Sequence, residues 1–244
     1  MTTTNQTNFT IKIEIWSDVV CPFCYIGKRK LERVLDKFPF KNLVETEWKS
    51  FQLDPFAETN PNKSTLEHLA EKKGISLKQA SQMIAFITDM AQQVGLEFHF
   101  DRAVVVNTFK AHRLSHLAKK YRKQNELEEK LFAAYFTQGK NTDDNDTLLQ
   151  LALEVGLDEK EAKEVLESED YSDDVKYDIE QARQLRIQGV PFFLIDDKFA
   201  VSGAQDESVF LQALNKALEE HKKSSIIEFR GDEAGICGPE GCAI

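Results

Sequence analysis

The sequence predicts an α/β domain split by a helical insertion. Strand-like alternation is confined to a first stretch ending at Asp54-Pro55, helical periodicity then runs from Ser64 to about residue 185, and strand signals followed by one more helix return after Gly189.

Ile11, Ile13 and Ile15 alternate within Ile11-Lys12-Ile13-Glu14-Ile15-Trp16, which predicts a strand with one buried face. A helix follows through Leu31, Val34 and Leu35 to about Phe38, where Pro39 stops it. Val44 to Leu53 alternates again, so the chain begins β-α-β. Ser64 with Glu67, and Ser76 with Gln79, have the spacing of capping boxes. The second opens a helix through Met83, Ile84, Ile87, Met90 and Val94, which Gly95 closes. An extended Leu96–Phe100 precedes helices at about 107–123, 126–137, 146–155 and 159–168. Another from Ser172 carries Val175, Ile179, Ala182 and Leu185 on one face. Pro191–Ile195 reads as a strand, Asp196-Asp197-Lys198 as a turn into Phe199-Ala200-Val201, and about 206–221 as the last helix. The expected organisation is an α/β domain made of residues 10–62 and 186–222, an all-helical insertion over 63–185, and a mobile tail over 223–244.

At 244 residues the chain is large enough for one domain carrying a second, and 41% hydrophobic with 30% charged residues is ordinary globular composition. A formal charge of −10 argues against sequence-independent nucleic-acid binding, because phosphate neutralisation needs a basic face that no Lys/Arg cluster supplies. That leaves small-molecule or protein substrates. Residues 1–10 lack the basic start and apolar core of a secretory signal, and no run is apolar enough to span a bilayer. The protein is therefore expected in the cytoplasm without a membrane partner. Cytosolic thiols are mostly kept reduced, so closely spaced cysteines there are more often redox-active or metal-binding than structural.

Cys21-Pro22-Phe23-Cys24 lies between the first strand and the first helix. A sulfur at that junction faces unpaired helix N–H groups, whose partial positive charge favours a thiolate. Cys21 is thus the expected nucleophile on a disulfide, and Cys24 the thiol that resolves the mixed disulfide. The competing reading is zinc, which would need Cys21, Cys24, Cys237 and Cys242 as a four-cysteine set, since no His lies near them in sequence. Gly189-Val190-Pro191 ahead of the late strand fits a loop whose proline faces the thiols. A cis bond there would remove an N–H and keep a metal away. No metal is expected.

Five stretches in this order resemble the FrnE-type branch of the DsbA thiol oxidoreductase family: Ser17–Lys28, Phe51–Pro55, Asn107–Arg113, Gly189–Phe193 and Val201–Gln205. The resemblance covers about residues 11–220. It implies a thioredoxin fold with an inserted helical domain, disulfide oxidoreductase or isomerase activity on protein or low-molecular-weight thiols, and a cis Pro191. It implies no cofactor beyond the redox disulfide, with glutathione as a candidate co-substrate. The alternative from the wider superfamily is a glutathione-dependent transferase or isomerase of the kappa or 2-hydroxychromene-2-carboxylate type, whose members carry serine at the position of Cys21. The oligomeric state is open, a dimer through the insertion included.

The resemblance also points to residues around the thiols. Relatives place a buried carboxylate six residues before the first cysteine, where this chain has Ile15, and Glu14 falls on the opposite strand face. Asp18 is then either the replacement proton acceptor for Cys24 or a turn residue. Phe23 offers no charge to tune Cys21. Pro22, Phe23 and Val190 are expected beside the substrate, with Val190 and Pro191 presenting backbone to it. Asn107 and His112 are expected above Cys21, or else as a helix cap and a half-buried polar residue. Ser202 has capping-box spacing with Gln205 and, with Ala204, matches a loop that binds glutathione in relatives. Cys237 and Cys242, four residues apart, are a candidate second redox pair exchanging with the first.

Overall fold

The structure, a computed structural model, describes residues 9–224. Strand β1 (Ile11–Ser17) leads into α1 (Pro22–Lys37) and, after a short 3-10 turn, β2 (Val44–Ser50). β1 and β2 are parallel, with Ile15 opposite Trp48. The insertion follows as β3 (Asn60–Ser64), α2 (Thr65–Lys73), α3 (Leu77–Gln93), β4 (Val104–Val105), α4 (Phe109–Lys120), α5 (Gln124–Phe132), α6 (Asn145–Glu154), α7 (Glu159–Glu167) and α8 (Ser172–Gln184). The chain returns through β5 (Phe192–Ile195), β6 (Phe199–Ser202) and α9 (Glu207–Ser224). The main sheet runs β2-β1-β5-β6, with β5 antiparallel to both its neighbours.

The alternation in β1 explains the two packed faces. Ile11, Ile13 and Ile15 are fully buried in the core that holds α1 and α9, and each contributes about 2 kcal/mol of apolar burial. Trp16 points the other way, against Ala182 and Ile187 at the end of α8, and its indole donates to the Asp178 carbonyl at 3.0 Å.

Both early capping boxes form as expected at Ser64 and Ser76. Three local expectations change. Leu96–Phe100 is not a strand: Leu96 and Phe98 are buried, but the Leu96 N–H closes the end of α3 on Ala91 and the His99 N–H donates to Phe136. The extended pairing occurs instead between β3 and β4, so the insertion is helical apart from this small ribbon. The capping box at Ser202 does not exist. Ser202 ends β6, the Gln205 amide donates to the Ser202 carbonyl at 2.7 Å, and α9 starts two residues later, at Glu207.

Candidate active site

The thiols are placed by backbone. After β1 the chain turns at Asp18, whose carbonyl accepts the Cys21 N–H at 2.9 Å, and Cys21 becomes the N-cap of α1 with Pro22 in the first turn. The Cys24 N–H donates to the Cys21 carbonyl at 3.0 Å, starting the helix. Cys21 Sγ donates to the Val190 carbonyl at 3.5 Å, and the Val190–Pro191 peptide is cis. Gly27 sets the depth of that loop, since a Cβ there would lie 3.1 Å from both Pro191 Cγ and Phe193 Cζ.

The two sulfurs differ. Cys21 is 3% exposed and lines a cavity, whereas Cys24 is fully buried behind it. Burial pushes the Cys24 thiol well up, and the Cys21 sulfur close beside it pushes the same way. The opposing pull of Ser17 and of the Asp18 backbone is weaker. Ser17 Oγ is buried beside the Cys24 sulfur with no oxygen or nitrogen partner. Cys24 is therefore a protonated thiol near neutrality.

A buried charge pair lies alongside the thiols. Asp18 is 1% exposed, and its Oδ2 accepts the Leu53 N–H at 2.7 Å. Its Oδ1 is 3.4 Å from His112 Nε2, close enough for charge attraction yet leaving neither atom a well-aligned hydrogen bond. Burial works against a charged His112, but Asp18, with Glu128 and Asp178 farther off, holds its imidazolium above the usual range. Glu14, by contrast, is engaged by Lys12 at 3.0 Å and Lys49 at 3.4 Å and takes no part in the site.

The cavity over Cys21 has a volume of about 470 Å³. Its floor is Cys21, Pro22, Phe23 and Val190, and its roof comes from α2, α3 and the stretch around β4. Tyr135 also reaches it, from a π-helical stretch (Ala133–Thr137) that continues α5.

The remaining expected residues lie elsewhere. His112 is buried against Asp18 and does not line the cavity. Asn107 is structural: its Oδ1 accepts the Phe109 N–H at 2.9 Å at the start of α4, and its Nδ2 donates to the Ala57 carbonyl at 3.0 Å. Ser202 and Ala204 are outside the cavity lining, Ala204 giving its carbonyl to Lys30. Cys237 and Cys242 lie outside the described residues, and with them any four-cysteine set. Sequence reasoning missed Gly27, Tyr135 and the pairing of Asp18 with His112. For the first, the signal was a glycine inside a helix one turn past the thiols, which demands a packing reason.

The DSBA-like thioredoxin domain matches residues 12–215. YwbO of Bacillus subtilis (strain 168) is 33% identical over 216 residues, spanning 88% of this chain and 99% of its own. The crystal structure of a probable DsbA oxidoreductase from Streptomyces coelicolor is 36% identical, with a TM-score of 0.80 over 96% of this chain and 99% of that one. The cytosolic disulfide reductase DsbM of Pseudomonas aeruginosa, solved with GSH, is 14% identical with a TM-score of 0.58, over 88% of this chain and all of that one, and shares the fold. The chain thus belongs to the DsbA-like thioredoxin domain family.

Proposed function

We propose that the protein is a thiol-disulfide oxidoreductase acting through Cys21 and Cys24, on protein or low-molecular-weight disulfides, in the cytoplasm. The observation that carries this reading is the asymmetry of the pair: one sulfur on a cavity floor at a helix start, the other buried and protonated directly behind it. Cys21, as thiolate, attacks a substrate sulfur, a Cys21–substrate disulfide forms, and the first substrate thiolate leaves. Cys24 then gives up its proton and attacks the Cys21 sulfur. The Cys21–Cys24 disulfide forms, the second substrate thiolate departs, and two electrons have passed from the protein to the substrate.

Cys24 needs a proton acceptor for that second step, and Asp18 is the carboxylate at hand, because it shares the cavity with Cys21. The Asp18 backbone lies against the Cys24 sulfur, so the proton has a short path to the carboxylate. His112 then positions and charge-balances the carboxylate.

A Cys21→Ser variant should lose disulfide reduction altogether, while Cys24→Ser should accumulate the Cys21 mixed disulfide, seen as a mass increase of the intact chain. Retained turnover in Cys21→Ser would sink the assignment. A glutathione-dependent transferase is separated by the same variants, because conjugation would survive loss of Cys24. The tail pair is tested by deleting residues 236–244: an unchanged rate and potential of the Cys21–Cys24 pair removes Cys237 and Cys242 from the reaction.

A further inference from the structure

Resting on the oxidoreductase reading, we infer that the cavity takes a low-molecular-weight disulfide whose sulfur carries an apolar body ending in a carboxylate or similar anion. Three observations lead there. The cavity holds about 470 Å³, within the range that encloses a drug-sized ligand, and α2 and α3 cover it. A folded protein surface cannot enter such a space.

Its walls above Cys21 are mostly apolar. Leu69 of α2, Ile84 and Ile87 of α3, and Phe100 line it, with Tyr135 facing them. Burying an apolar body there gains about 25 cal/mol per Å², whereas a zwitterionic tripeptide such as glutathione would strand polar groups against these side chains.

Charge enters along α2. Thr65, His68, Leu69, Lys72 and Lys73 recur at helical spacing on the face toward the cavity. Lys72 is neutralised by Asp54 at 2.7 Å and Lys63 by Glu71. Lys73 forms no ion pair with the described residues and stays exposed. His68 reports the local field. Burial lowers its proton affinity, and Lys63 and Lys72 lower it further against the smaller pull of Asp54 and Glu71. One ammonium is left to meet an anion. In the mixed disulfide the substrate sulfur sits on Cys21, its apolar body along α3, and its anionic end at Lys73.

The test uses the reduced full chain and five disulfides: dithiobis(nitrobenzoate), aromatic and anionic; dithiodipyridine, aromatic and uncharged; cystamine; oxidised glutathione; and insulin. Each rate is divided by that of free cysteine with the same compound. The anionic aromatic disulfide should lead, the uncharged aromatic should follow, and the other three should trail by about tenfold or more. Lys73→Glu should reduce the ratio of anionic to uncharged aromatic rates by about fivefold, the size of one partly screened charge pair. Ile84→Asn should slow both aromatic compounds. Equal normalised rates, or insulin or oxidised glutathione reacting as fast as the anionic aromatic, would overturn the inference while leaving the oxidoreductase reading intact. Exchange that persists in Cys21→Ser would overturn the reading itself.

Discussion

The floor of the cavity and its roof are built by different means. The floor is backbone geometry: β1 ends, Cys21 caps α1, and the Val190 carbonyl meets its sulfur at 3.5 Å. The roof is a set of side chains on the insertion, which is held to the α/β unit by charge pairs. Glu129 of α5 receives Lys28 and Arg29 of α1, each at 2.7 Å, and Asp178 of α8 receives Lys49 of β2 at 3.3 Å. Short-range geometry thus places the two sulfurs, and long-range docking places the surface above them. On the proposed function, chemistry and choice of substrate are then separable.

Perturbing the floor should cost most. Replacing the Cys21 sulfur leaves no nucleophile, so turnover should fall by at least about 10³-fold for every disulfide, with no change in substrate order among any residual rates. Asp18→Asn keeps an oxygen for the Leu53 N–H but cannot take a proton. The release of mixed disulfide by Cys24 should then slow by about 10²-fold, while the first attack by Cys21 keeps its rate, as followed by acid quench and intact mass. Unchanged release would leave Asp18 as a turn residue only.

Gly27→Ala inserts a methyl at 3.1 Å from Pro191 and Phe193, so the Val190–Pro191 loop must shift. Reduction should slow for all substrates alike, and unfolding should show a loss of about 1–3 kcal/mol. A substrate-dependent effect would mean that floor and roof are not separable after all.

The smallest effect concerns docking of the insertion. Burial alone would raise the Glu47 carboxyl, but Lys119 of α4, with Lys49 and Lys12, outweighs it and holds the group at about 2. Because the folded value lies below the unfolded one, this contribution is complete above the ordinary carboxylate range and disappears as pH falls through about 2. Glu47→Gln should therefore be less stable than the parent at pH 7, and the gap should close toward pH 2 in denaturant titrations. A gap independent of pH would place the Glu47 contribution in packing rather than charge.

Several features were legible because they depend on neighbours in sequence. The β-α-β start, the capping boxes at Ser64 and Ser76, and the thiol pair at a strand-to-helix junction all follow from local spacing. The extended reading of Leu96–Phe100 failed since alternation reports burial on one side, and those side chains are buried without a strand to pair with. The Ser202 capping box failed because its spacing also fits a turn in which Gln205 bonds back to the strand end.

By itself the sequence determined the two sulfurs, their order and their setting at the start of a helix, because an N-cap is defined within a few residues. It also determined that a long helical segment interrupts the α/β unit. Only the tertiary structure decided that His112 lies against Asp18, that Gly27 makes room for Pro191, and that Leu69, Ile84 and Tyr135 line one cavity over Cys21. Each of these joins residues far apart in the chain. Such neighbours are chosen by packing and desolvation of the whole molecule, which no local pattern encodes.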